Sequence, residues 1–211
     1  MHDTALLSGA KFFEAYAKDM QKPGLRILDL GAMDVNGSLR SAAPAGAEYV
    51  GIDMAAGPGV DIVYDPAQGF PAEVSGFDVC VSTSTFEHDD FFWQTFLEVC
   101  SALNEGGLFY INAPSNGPYH AYPGDSWRFY PDSGLSLAKW ARRMGQQVTL
   151  LESGVLRRDS DVWNDFVAVF RKGTPLSGAS ENRLLDLFPD AMNLRHGEVN
   201  DMKNVVPDFT A

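Results

Sequence analysis

Short apolar runs alternate with amphipathic stretches along most of the chain. The runs Ile27–Leu30, Glu48–Asp53, Val60–Asp65, Phe77–Ser82 and Leu108–Ala113 have the length of buried strands. Between and around them lie helical patterns. Residues 4–20 place Leu6, Phe12, Phe13, Tyr16 and Met20 on one stripe, with Thr4 as a plausible N-cap, and Pro23-Gly24 stops it. Ser38-Leu39-Arg40 reads as the opening of a short helix. Phe91–Leu103 is strongly amphipathic and ends at Asn104-Glu-Gly-Gly107. Pro131 suits the first turn of a further helix running to about Met144. Gln147–Leu151 and Phe166–Phe170 are two more strands, close together, with the signature of an antiparallel pair. The order predicts an α/β fold: a doubly wound, mostly parallel sheet of seven strands with the antiparallel pair at one side.

The domain expected spans 1–172, with an N-terminal helix inside 1–22 and a lid-like loop at 114–130. Residues 173–211 read as a polar, irregular surface tail, in which Arg183–Phe188 has the pattern of a helical turn able to dock.

Composition narrows the partners. The 211 residues are 45% hydrophobic, enough for one sizeable core. The formal net charge is -12, from 28 acids and 16 bases, which argues against nucleic acid as the main partner. No apolar run approaches the ~20 residues of a membrane span, so no membrane association is expected. Met-His-Asp-Thr shows no basic region followed by an apolar one, so no signal peptide is expected. Cys80 and Cys100 sit in apolar settings and read as reduced core thiols of a cytoplasmic protein. Four histidines are dispersed, and the cysteines lack ligand spacing, so no metal is expected. There is no Gly-Lys-Ser/Thr phosphate loop. Nothing in the sequence reports an oligomeric state.

Candidate chemistry collects where strands end. In open α/β sheets ligands bind beyond the carboxyl ends of the strands. Asp29 and Gly31 close the first strand, Asp53 the second, Asp65 the third, and Ser82–His88 follow the fourth. The first turn, Gly31-Ala-Met-Asp-Val-Asn-Gly37, lacks the G-x-G-x-x-G of a pyrophosphate site, and Asp34 would repel one. Asp53 suits the ribose of either a dinucleotide or S-adenosylmethionine (SAM), and each acid alone also serves as a turn cap.

The segments Ile27-Leu-Asp-Leu-Gly31, Tyr49-Val-Gly-Ile-Asp53, Phe77-Asp-Val-Cys-Val-Ser-Thr-Ser-Thr-Phe-Glu-His88 and Leu103-Asn-Glu-Gly-Gly-Leu-Phe-Tyr-Ile111 together resemble the class I SAM-dependent methyltransferases, in the group related to the quinone-biosynthesis C-methyltransferases. The resemblance implies a Rossmann-like fold, SAM as cofactor and S-adenosyl-L-homocysteine as product. It places Gly31 near the methionine end, Asp53 on the ribose, Asp65 and Pro66 beside the adenine, and Ser82 and Thr83 under the sulfonium. Asp29, Ala32, Asn36 and Met54 complete the implied cofactor set. The chain departs from the family's E/D-x-G-x-G-x-G at Ala32 and Met33 and in the Asp34–Gly37 insert.

The catalytic candidates are His88, His120 and Arg128. His88 lies just past the fourth strand, where it suits a general base or a helix cap. His120-Ala-Tyr-Pro-Gly-Asp-Ser-Trp-Arg-Phe-Tyr130 is aromatic-rich and fits a substrate lid, with His120, Tyr122 and Arg128 facing a small-molecule acceptor. Arg128 suits a carboxylate or phosphate, or a pinning pair with Asp125 or Asp132. Two other readings stay open: a methyltransferase-like domain that binds without turnover, and an NAD(P)-binding oxidoreductase.

Overall fold

The structure is a computed structural model and describes residues 3–173, 181–199 and 201–206. The expectation of an irregular tail at 174–180, 200 and 207–211 lies outside the described residues. Strands β1 (Arg26–Leu30), β2 (Glu48–Asp53), β3 (Ile62–Val63), β4 (Phe77–Thr83), β5 (Leu103–Pro114), β6 (Val148–Leu156), β7 (Asp165–Lys172), β8 (Met192–His196) and β9 (Met202–Lys203) form one sheet. Its order is β3-β2-β1-β4-β5-β7-β6-β8-β9. The first five are parallel, β7 runs antiparallel between β5 and β6, and β8 and β9 add antiparallel at the far edge.

The period-2 alternation explains how both faces are covered. Ile27, Val79, Val81, Tyr110, Val167 and Val169 point to one side, under helix α1 (Asp3–Ala15). Leu28, Cys80, Phe109, Ile111, Ala168 and Phe170 point to the other, under α2 (Phe92–Ala102) and α3 (Pro131–Arg143). Each helix turns a 3–4 spaced stripe inward: Ala5, Ser8, Gly9, Phe12 and Phe13 in α1; Phe96, Val99 and Cys100 in α2; Gly134, Leu137, Ala138 and Ala141 in α3. Both cysteines are buried free thiols.

Four expectations need correction. The sheet has nine strands rather than seven, because Met192–His196 pairs onto β6 and Met202–Lys203 onto β8. Arg195 disguised β8 as polar. It is buried there because its guanidinium pairs with Asp132 at 2.5 Å and donates to the Val199 carbonyl. The expected short helix after β1 is only a 3-10 turn, Leu39–Ala42, capped by Ser38. The first helix gives way to a 3-10 turn at Ala17–Met20, and the third strand shrinks to two residues. A further 3-10 turn at Leu185–Leu187 docks on the sheet. Leu184 and Leu185 are fully buried, and their amides donate to Glu152, which also accepts the Tyr16 hydroxyl at 2.6 Å.

Candidate functional site at the carboxyl edge of the sheet

The carboxyl ends of β1, β2 and β4 meet at Gly31. Its φ of +79° is a glycine conformation, and any Cβ there would overlap the Thr85 side chain. The Gly31 and Ala32 amides both donate to the Ile52 carbonyl, at 2.9 and 3.1 Å, so the loop crosses onto β2. Met33 N then donates to Asp53 Oδ2 at 3.1 Å, and Ala55 N to Oδ1 at 3.3 Å. A carboxylate oxygen has two acceptor directions, so Asp53, half-buried, keeps one free on each oxygen. Met54 beside it is 55% exposed.

The other members of the implied cofactor set are placed less evenly. Asn36 is exposed at the loop tip, beyond the Asp34 carboxylate that accepts Gly37 N at 2.7 Å. Asp65 and Pro66 are exposed after β3, where Asp65 caps its own turn through Ala67 N and Gln68 Nε2. Ser82 is fully buried and donates to the Leu30 carbonyl at 3.1 Å, and Thr83 is buried beside it. Asp29 points to the α1 side of the sheet. It is buried against the Tyr49 hydroxyl at 2.8 Å, and burial pushes its carboxyl up to about 6.

One turn joins this edge to a second cluster. Ser84 takes φ +52°, its amide donates to Asn112, and Thr85 Oγ1 reaches the Leu30 and Thr83 carbonyls. His88 N closes the turn on Thr85 O at 3.0 Å. Glu87 is 1% exposed, its backbone carbonyl accepts Ser126 N and Trp127 N, and its Oε2 is buried with no hydrogen-bond partner. Loss of solvent pushes the Glu87 carboxyl up to about 8. His88 Nδ1 lies 2.5 Å from the Gly124 carbonyl oxygen. A carbonyl only accepts, so Nδ1 carries the proton and Nε2 the lone pair. That Nε2 stands 3.6 Å from Glu87 Oε1. Burial holds the imidazole below its usual range, which keeps it neutral.

His120 comes onto this cluster from the 114–130 loop. Its ring meets His88 edge-on at 4.9 Å between centroids and Trp163 at 4.6 Å. Asp125 organises the loop: it accepts His120 N at 2.7 Å and a bidentate pair from Arg128 at 2.6 and 2.7 Å. The guanidinium holds the Asp125 carboxyl well below the carboxylate range. Arg128 also donates to the Pro118 and Trp127 carbonyls, so its fork is engaged in holding the loop. Asp132, the other partner expected for it, pairs with Arg195. Tyr122 is exposed, 6.5 Å from the His88 ring. A depression of about 280 Å³ beside Gly117, Tyr119, Asp125 and Arg128 opens at the loop surface.

The structure thus brings His88 and His120 together, and Arg128 joins them through Asp125 and through the Trp163 ring that both it and His120 touch. Sequence reasoning noted Glu87 within the Phe77–His88 segment but gave it no role, since adjacency to His88 was its only signal. It passed over Trp163, which sits in a polar connection with no local pattern. No metal set was expected from linear spacing. Yet Glu87, His88 and His120 present donor atoms within 4.8 Å of one another.

No protein-family model matches the chain, and no curated protein does at the sequence level. Solved structures do match in fold. One is the Burkholderia thailandensis 1,6-didemethyltoxoflavin N1-methyltransferase, with bound 1,6-didemethyltoxoflavin and S-adenosylhomocysteine. It shows 16% identity, 82% of this chain and 80% of that one covered, and a TM-score of 0.58. Another is a SAM-dependent methyltransferase from Clostridium acetobutylicum at 11% identity, with 82% and 93% covered and a TM-score of 0.56. A third is a [4+2]-cyclase at 13% identity, with 82% of each chain covered and a TM-score of 0.57. The fold is therefore that of the class I SAM-dependent methyltransferases, a Rossmann-like α/β sheet extended here by two edge strands.

Proposed function

We propose that the chain is a SAM-dependent methyltransferase acting on a small-molecule acceptor. The observation that carries the reading is Asp53. It ends β2 at the open edge of the sheet, anchored by the Met33 and Ala55 amides, with an acceptor direction left on each oxygen for the two ribose hydroxyls. The surrounding groups fit the cofactor: Met54 offers exposed apolar surface beside that acid, and Asp65 and Pro66 flank it from β3. At the methionine end the cofactor would meet the 84–88 turn, since Thr85 lies over Gly31. Ala32, Ser82 and Thr83 are buried and would shape that end from below. Asp29 would act indirectly, by fixing the β1–β2 register through Tyr49, and Asn36 would reach the ligand only from the loop tip.

Bound SAM supplies an electrophilic methyl group, and the protein supplies alignment and proton handling. The His88 Nε2 lone pair is the atom offered for the second task, at the end of the turn that begins under the cofactor edge. His120 and Tyr122 line the acceptor side, and Arg128 fixes their loop. A net charge of -12 favours a neutral or cationic small acceptor over a phosphate polymer, and a cytoplasmic setting suits two buried reduced thiols.

Calorimetry with S-adenosylhomocysteine tests the cofactor. Asp53→Ala should weaken binding by about 1–3 kcal/mol, the scale of a hydrogen bond to a charged group. Unchanged affinity in a folded variant removes Asp53 from the site, and no binding by the wild type sinks the reading. One observation favours a second reading. The Gly31 and Ala32 amides are committed to Ile52, and Thr85 covers the glycine, so neither amide is left to orient the methionine end for transfer. A domain that holds its ligand without turnover would bind S-adenosylhomocysteine and leave SAM unconsumed with every acceptor offered.

A further inference from the structure

We infer that Glu87, His88 and His120 form a binding site for a divalent transition metal of the zinc class. The inference stands without the methyltransferase reading. Its basis is an imbalance in the chain itself. Glu87 is 1% exposed, yet Oε2 has no hydrogen-bond partner, and beyond its own backbone amide the carboxyl has only the His88 ring, 3.6 Å from Oε1. Arg128, the nearest candidate counter-ion, is locked onto Asp125 by two hydrogen bonds. A carboxyl desolvated in this way is either protonated or paired with a cation, and the groups that surround it are imidazoles able to share one.

Those imidazoles are prepared as ligands. The Gly124 carbonyl takes the proton of His88 Nδ1, which fixes the tautomer that presents Nε2 toward Glu87. Metal-binding histidines are oriented by such an outer hydrogen bond to a carbonyl or carboxylate. His120 Nδ1 lies 3.3 Å from Asp125 Oδ2 without a hydrogen bond to it, so this ring is held by its backbone amide, which donates to the same oxygen, and Nδ1 is left without a hydrogen-bond partner. The Asp125 carboxylate is fixed in turn by Arg128, so the outer partners belong to one rigid network.

The spacing is close to that of a bound site. Metal bonds of about 2.0–2.1 Å set tetrahedral ligand atoms roughly 3.3 Å apart. Glu87 Oε1 and His88 Nε2 are 3.6 Å apart, and all three donor groups lie within 4.8 Å. His120 would need to swing in by up to about 1.5 Å, and it stands on a loop rather than in the core. Its side chain is 37% exposed, so solvent reaches the cluster from that side and a fourth position is open to water or substrate. Two nitrogens and one carboxylate with an open position suit zinc, iron or nickel better than magnesium or calcium. When the metal is bound, the His88 lone pair is a ligand pair, and an acceptor hydroxyl would be deprotonated at the metal instead.

The test uses the full chain, freed of any tag and stripped with a chelator, and the metal ions alone. Co²⁺ should bind at one per chain with visible ligand-field absorption, and Zn²⁺ should displace it. His120→Asn and Glu87→Gln each remove a direct ligand and should weaken Zn²⁺ binding by more than the ~10–100-fold that loss of an outer-shell partner costs. His196→Asn, which alters the pair with Asp186 at the other edge, should leave it unchanged. If Glu87→Gln fails to fold, His120→Asn decides alone, because that residue lies on the surface loop. Absent or substoichiometric binding overturns the site, as does equal affinity in His120→Asn or a loss confined to His196→Asn. Calorimetry with S-adenosylhomocysteine on the metal-free protein is read separately, so failure of the cofactor reading leaves this result standing.

Discussion

An acid two positions before a strand-end glycine invites reading as a ligand group, yet Asp29 turns to the opposite side of β1 from Leu28 and Leu30. Alternation along the strand puts it there with Ile27, under Tyr49. Its folded pKa is raised from 3.8 to about 6 by burial. The folded state therefore holds this proton over a window in which the unfolded chain has lost it. Its favourable contribution is full below about pH 4 and is lost as pH rises through about 6. Asp29→Asn should remove that slope. Urea unfolding from pH 4 to 7 should show the wild type losing roughly 3 kcal/mol relative to the variant. A pH-independent difference would mean that Asp29 is not buried as a carboxyl. Gly31 gives a second prediction. Gly31→Ala combines a left-handed φ with overlap on Thr85, so a loss above about 2 kcal/mol is expected. Gly31→Ala with Thr85→Ala should recover part of it, and no recovery would show that the backbone strain alone matters.

Among the elements, those with strong periodicity were legible and those held by pairing were not. The Phe96, Val99 and Cys100 stripe announced α2, and Pro131 announced the start of α3. β8 carries Arg195 and His196 and looks like a tail until Asp132 and β6 are placed beside it. The same holds for the site. Asp53 was readable from its strand end, whereas the approach of Glu87 and His120 depends on a loop whose anchors are backbone carbonyls. The Glu87 carbonyl accepts Ser126 N at 2.7 Å, and the Pro114 carbonyl accepts Phe129 N at 3.0 Å. Two predictions belong to this scale. Leu185→Ala, at a fully buried position between β6 and α1, should cost ~2–5 kcal/mol by chemical denaturation. A loss below 0.5 kcal/mol would make the docked turn dispensable. Asp125→Ala removes the acceptor shared by Arg128 and the His120 amide. It should make the 117–128 loop a site of rapid limited proteolysis while the sheet keeps its far-ultraviolet signature. Cleavage at the wild-type rate would show that backbone contacts suffice to hold it.

At the scale of the molecule, the groups proposed for the cofactor come from separate strands: β1, β2, β3 and β4 each contribute at one edge. A ligand bridging them can bind only when the parallel half of the sheet is assembled. Binding must therefore appear as stability of the domain that carries those strands. At a concentration one hundred times its Kd, S-adenosylhomocysteine should add about 2.7 kcal/mol. For a chain of this size that converts to a rise of roughly 5–10 °C in melting temperature. NADH carries a pyrophosphate that this edge is poorly made to receive. Asp34 lies in the loop, the Gly31 and Ala32 amides are already bonded to Ile52, and no helix N-terminus follows β1. NADH at the same concentration should leave the transition where it is. A matching rise with NADH, abolished by Asp53→Ala, would assign the same acid to a dinucleotide and remove the methyltransferase reading. A rise with S-adenosylhomocysteine alone, lost in Asp53→Ala, fixes the cofactor on this edge and leaves the acceptor as the remaining unknown.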